Sequence, residues 1–128
     1  MVGVNQQGAQ LLIKEATRET PFVQISYDGN IHITGNATGL NIDKFFLSLF
    51  WGINKLTSQK LIITIDLNKY SVAAIRNIFI LLRIISKHPH INDATVIWFS
   101  AGPFEKEIGE TYSELLPEFN FLYYNWIS

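Results

Sequence analysis

Apolar residues recur at helical spacing in three parts of the chain, and the runs between them are either rich in β-branched residues or alternate apolar with polar. Phe45, Phe46, Leu49, Phe50, Ile53 and Leu56 follow Asn41, a residue suited to an N-cap, and predict a helix that is apolar around much of its girth. Ile75, Ile78, Phe79, Leu82 and Ile85 predict a second helix, capped by Ser71 and ended by His88-Pro89. Pro103 suits the first turn of a third. Glu105 and Glu107 then lie near its positive end, Ile108, Tyr112 and Leu115 share one face, and Pro117 stops it.

The strand signals fall between these helices. Phe22, Ile25 and Tyr27 precede Asp28-Gly29-Asn30, and Ile31 and Ile33 alternate with His32 and Thr34 beyond it, the pattern of a two-stranded hairpin. Gly35 to Gly39 reads as a loop. The β-branched run Leu61-Ile62-Ile63-Thr64-Ile65 predicts a central strand buried on both faces. Ala94 to Phe99 repeats that signal, and Phe119 to Tyr124 supplies a last strand rich in aromatic residues. Leu11 to Thr20 mixes apolar and charged residues, stops at Pro21, and is assigned to no element. A hairpin followed by helix, strand, helix, strand, helix, strand predicts an α/β domain with right-handed crossovers. Its mixed sheet would have four to six strands covered by about three helices. The domain is expected to span residues 11–126, with residues 1–10 a flexible N-terminus.

Composition narrows the partners. At 128 residues the chain can build one core, and its 16% of charged residues, against roughly a quarter in soluble domains, leaves apolar surface exposed. Ten basic and 11 acidic residues nearly cancel, so no excess positive charge drives counterion release and a nucleic acid is not expected as a partner. The absence of cysteine removes disulfides, thiolate metal sites and thiol nucleophiles, and fits a reducing cytosol. Met1 to Gln10 has no basic stretch leading into an apolar core. The apolar runs near Phe45 to Leu56 and Ile75 to Ile85 are too short to cross a bilayer and are broken by Ser48, Asn54, Asn77 and Arg83. A cytoplasmic protein without membrane insertion is expected.

Convergent reactive groups are few. His88-Pro89-His90 lacks the i, i+4 spacing that sets two imidazoles on one helix face, so no metal site is expected there. Asp66 follows the central strand, where α/β folds often carry a functional carboxylate, though a strand end takes a polar residue in any case. Gly35 to Gly39 has neither the lysine of a P-loop nor dinucleotide-binding spacing, and Asn36-Ala37-Thr38 is a glycosylation triplet that matters only in secreted chains. No catalytic residue, metal or cofactor is assigned, and the chain is not read as an enzyme. Ser71 carries more, because a hydroxyl at a helix start serves as a cap or as a phosphate acceptor. Phe45, Phe46, Phe50 and Trp51 crowd adjacent faces of one helix, so one of them should point outward and offer a partner an aromatic contact.

The whole pattern resembles the SiaC-type biofilm-regulation phosphoproteins, relatives of the SpoIIAA anti-sigma factor antagonists with a STAS-like fold. The likeness runs from about Leu11 to Tyr124 through Ala16-Thr17-Arg18-Glu19-Thr20-Pro21, the aromatic helix Phe45 to Trp51, Ile75-Arg76 and Val96-Ile97-Trp98-Phe99. The resemblance implies a non-enzymatic signalling adaptor, phosphorylated by a dedicated kinase and dephosphorylated by a PP2C-like phosphatase. In its unphosphorylated form the best-known member binds and activates a diguanylate cyclase. The family reads Asn-Thr-Ser-Ser at the start of the second helix, with the threonine as acceptor, where this chain has Ser71, Val72, Ala73 and Ala74. Val72 has no hydroxyl. Either Ser71 takes the phosphate or the chain is locked in the unphosphorylated-like state. The partner surface implied is Tyr70, Ser71, Val72, Ala73, Ile75 and Arg76. A carrier of a small apolar ligand is the alternative, which a closed cavity would favour. An enzyme would need a cleft joining Asp66 to a histidine or a second carboxylate.

Overall fold

Asp28-Gly29 reverses the chain between its two antiparallel hairpin strands, and everything after that turn runs in parallel. The computed structural model describes residues 10–100 and 102–125. Their order is β1 (Gln10–Lys14), β2 (Phe22–Ser26), β3 (Asn30–Ala37), α1 (Ile42–Asn54), β4 (Lys60–Tyr70), α2 (Val72–Ser86), β5 (Asp93–Ser100), α3 (Pro103–Leu115) and β6 (Asn120–Asn125). The strands form one six-stranded sheet in chain order, with β1, β2 and β3 antiparallel and β3 to β6 parallel.

Right-handed crossovers that step in one direction across a sheet leave all their helices on the same face. Burial alternates accordingly. Ile31, Ile63, Val96 and Phe121 stand in one row and Ile33, Ile65, Trp98 and Tyr123 in the next, and the helices pack on these rows through Phe46, Leu49 and Ile53, through Ile78, Leu82 and Ile85, and through Tyr112. The expectation that Leu61 to Ile65 is buried on both faces is corrected. β4 is central, but Leu61, Ile63 and Ile65 are buried while Ile62 is 43% exposed. Lys60, Thr64 and Asp66 alternate with Leu61, Ile63 and Ile65, so the polar positions of the strand, with Ile62 among them, lie on the face away from the helices.

Three boundaries also move. Leu11 to Lys14, left unassigned, belongs to edge strand β1, whose register shifts between Gln10 and Leu12. Short length, a bulge and a charged end are how edge strands are kept from further pairing, and they erase a clean alternation. Gln10 is therefore in a strand, and the rest of the expected flexible N-terminus, residues 1–9, lies outside the described residues. β3 continues through the supposed loop to Ala37, with a register shift after Gly35 at φ +115°. β4 runs on to Tyr70, so Asp66 lies inside a strand opposite Thr34 rather than at its end.

The two positive-φ glycines separate strain from crowding. Gly29 (φ +94°) accepts a hydrogen bond from the Ile62 amide at 2.8 Å through its carbonyl, and a β-carbon there would lie 2.1 Å from the Lys60 carbonyl oxygen. At Gly35 the nearest atom to such a β-carbon is 3.6 Å away. Gly35→Ala should cost backbone strain on the order of 1–3 kcal/mol. Gly29→Ala should cost clearly more, since the β2–β3 turn must also part from β4. Urea denaturation of both variants checks this, and equal losses would contradict it.

Candidate functional site

Parallel strands β3, β4 and β5 end at one rim of the sheet, and each is followed there by a helix N-terminus, the place where α/β folds most often bind their partners. At the middle of the rim Ser71 has extended backbone (φ −90°, ψ 169°). Its amide donates to the Ala37 carbonyl at 3.0 Å, and its Oγ accepts from the Ala74 amide at 3.1 Å. This is an N-cap in full geometry. Asn41 occupies the corresponding position before α1, but its side chain makes no capping bond, which corrects the role expected of it. The helix starts differ electrostatically. Asp43 and Glu105 sit in the first turns of α1 and α3, whereas the first turn of α2 carries no acidic residue. The positive end of the α2 dipole is thus held by a neutral hydroxyl.

Of the six residues named from sequence, Ser71 among them, two are exposed. Val72 is 75% exposed and Arg76, one turn on, also points to solvent, while Tyr70, Ala73 and Ile75 are half-buried beneath them. Asn77 holds this end of α2 to α1: its Nδ2 donates to Asp43 Oδ1 at 2.5 Å and to the Ala73 carbonyl at 2.8 Å. Two further rim residues escaped the sequence reading. Leu40 is fully exposed, and Phe104, in the first turn of α3, is 62% exposed. An apolar residue just before an N-cap usually packs back on its helix as a hydrophobic staple. Leu40 precedes Asn41 and does not, so the sequence pattern gave no signal of its exposure. Of the aromatic residues on α1, Trp51 is the one turned outward, with the Lys55 ammonium 5.1 Å from its ring centroid.

Beneath the rim lies a polar pair in apolar surroundings. The Tyr112 hydroxyl donates to the Ile75 carbonyl, and the ring meets Trp98 edge to face at 5.6 Å. The Tyr70 hydroxyl is buried close to Glu105. Loss of hydration, and then that negative charge, push its pKa up to about 12. Burial raises Tyr112 further, with the neighbouring Tyr70 adding to it. Ile65, Tyr70, Ile78, Trp98 and Ile108 enclose a cavity of about 10 Å³, room for a single water. The other named groups lie elsewhere. His88, buried where α2 ends, accepts from the His90 amide through Nδ1 at 3.2 Å, and Asp66 is within β4. Among the described residues no three histidine, aspartate or glutamate side chains gather, and no helix is long and apolar enough to cross a membrane.

A six-stranded mixed sheet with three helices on one face defines the chain as an α/β protein. The chain has, in particular, the fold of SiaC. No family model matches the sequence, and no curated protein matches it. Solved structures do. Apo-SiaC from Pseudomonas aeruginosa superposes with a TM-score of 0.74 at 16% identity, covering 90% of this chain and 98% of that one. A chain in the crystal structure of the diguanylate cyclase SiaD in complex with its activator SiaC, also from P. aeruginosa, gives 0.79 at 15%, covering 90% and 99%. A further SiaC structure from that organism gives 0.76 at 16%, covering 92% and 99%.

The two phenols set a pH dependence. Each is held above the ordinary value of 10.0, so the folded state keeps protons that the unfolded chain gives up. Their contribution to stability is complete below pH 10 and is lost as the pH rises toward about 12. Denaturation across that range should show a steeper loss for the wild type than for Tyr70→Phe or Tyr112→Phe. Identical slopes would contradict the assignment.

Proposed function

We propose that this chain, over residues 11–126, is a non-enzymatic regulatory module that binds a protein partner through the rim around Ser71. Among the observations supporting this reading, one carries it: Leu40, Val72 and Phe104 are presented to solvent beside three successive helix starts. A cluster of exposed apolar side chains bounded by polar ones is what a protein interface requires. SiaC is the activator of the diguanylate cyclase SiaD in the complex whose chain shares this fold. By that analogy the partner is a diguanylate cyclase, with a kinase and a PP2C-like phosphatase acting on the same surface in a cytoplasmic signalling pathway. The enclosed cavity of about 10 Å³ is too small for an apolar ligand, and the larger hollow of about 380 Å³ beside Phe79, Ile80 and Ile84 is an open surface groove, so neither supports the reading as a carrier of an apolar ligand.

Ser71 is the acceptor in this reading if the chain is switched at all. A phosphate there would add nearly two negative charges to the α2 start, which has no acid of its own to repel it and several amides to receive it. The same charge beside exposed Val72 would have to be desolvated by an apolar partner, so binding would weaken while the helix held. A chain that no kinase modifies would instead remain permanently competent to bind.

Titration of the cyclase from the same source with this chain, read as cyclic di-GMP production, tests the surface. Val72→Glu should weaken activation at least about tenfold, the scale of one interface hot spot. Unchanged activation would remove the rim from the contact. Kinase treatment followed by mass spectrometry on wild type and Ser71→Ala tests the switch, and phosphate found only at a distant hydroxyl such as Thr64 or Thr95 would refute the site. Ser71→Ala should also cost about 1 kcal/mol of stability through the lost cap.

A further inference from the structure

The sheet has a second face, opposite the helices, that no described element covers. Its middle row runs in register across all six strands as Ile13, Gln24, His32, Thr64, Ile97 and Leu122. The row contains no lysine, arginine or carboxylate. Ile13, Leu122 and the flanking Ile62 and Tyr124 are 43–49% exposed, and Tyr124 stacks on Phe99 with ring centroids 5.4 Å apart. A soluble sheet that faced water would ordinarily alternate apolar-in with polar-out. Here the outward positions of the two central parallel strands and of β6 include Ile62, Ile97 and Leu122.

We propose that this face is the two-fold interface of a homodimer, with a second copy of the chain as its occupant. Shape and charge favour a copy over an unlike partner. The face is a sheet surface, uncharged along its middle row and carrying Asp66 as the one carboxylate in the two rows beside it, so it offers neither a groove for a helix nor an extended charge pattern to select a foreign protein. A sheet of the same kind can lie on it at roughly −30° with about 10 Å between the layers. The extent is sufficient. Six strands at about 4.8 Å spacing by three rows of side chains make a patch of roughly 24 by 20 Å, which side-chain relief brings close to the roughly 800 Å² per partner of a standard interface. Two-fold packing is self-complementary, since each row meets its own counterpart. The net charge of −1 adds little repulsion between copies. Helices and rim both stay on the outside of such a dimer, leaving the surface around Ser71 open, so this inference stands independently of the proposed partner.

Sedimentation equilibrium of the full chain, from about 1 to about 100 μM, brackets the micromolar and tighter affinities that interfaces of this size reach. The wild type should sediment at twice 14.6 kDa over most of that range. Ile62→Lys and Leu122→Lys should each weaken the dimer at least about tenfold, whereas Leu47→Lys on the exposed side of α1 should leave it intact. Circular dichroism reports whether the lysine variants stay folded. Should they unfold, Ile62→Thr, which keeps a β-branched residue in the strand, decides in their place by the same weakening. A monomeric wild type throughout, including one whose open face is covered by a different protein, would overturn the proposal. So would a dimer that survives substitution of the open face or is broken by Leu47→Lys.

Discussion

The strands lie in the sheet in the order in which they occur in the chain, and most of what distinguishes this molecule depends on that constraint. Each parallel crossover steps one place in the same direction. Because such crossovers are right-handed, all three helices fall on one face and all three helix N-termini on one rim. A doubly wound sheet would have reversed direction and covered both faces. This one buries its core on one side through the rows that start at Ile31 and Ile33, and presents Ile62, Ile97 and Leu122 on the other.

The same constraint makes the rim. Three helix dipoles point their positive ends to one edge, and the chain answers them unequally, with an acid in the first turns of α1 and α3 and a hydroxyl at α2. The middle position is thus the one where an added negative charge meets no carboxylate of its own helix. Below it, Tyr112 bonded to the Ile75 carbonyl and Asn77 bonded to Asp43 and Ala73 fix the start of α2 against α3 and α1. Val72 is held out to solvent on a rigid base, which spares a partner the entropy of ordering it.

Much of this was legible from residue pattern. Helical spacing placed all three helices, and Ser71 was readable as a cap because a hydroxyl preceded an apolar-periodic run. β1 was not readable. Its five residues carry a bulge and a lysine, and the same features that protect an edge also remove the alternation by which strands are recognised. The single-sided burial of β4 was legible, since Lys60, Thr64 and Asp66 alternate with Leu61, Ile63 and Ile65, and Ile62 is the one apolar residue on the polar side of that stretch. Tyr70 to Arg76 were named as the expected surface from the family resemblance of one contiguous stretch. Leu40 and Phe104 join them only through the third dimension, from the loop after β3 and the helix after β5.

The central claim is that the rim, rather than the open sheet face or the outer sides of the helices, meets the regulatory partner. Amide hydrogen exchange of the chain, alone and saturated with the diguanylate cyclase proposed as its partner, tests this directly. The account predicts that protection on binding concentrates at residues 38–41 and 70–76 and is lost in Val72→Glu. Protection confined to β1 and β6, or to the outer turns of α1 around Leu47 and Trp51, with 70–76 unchanged, would contradict it.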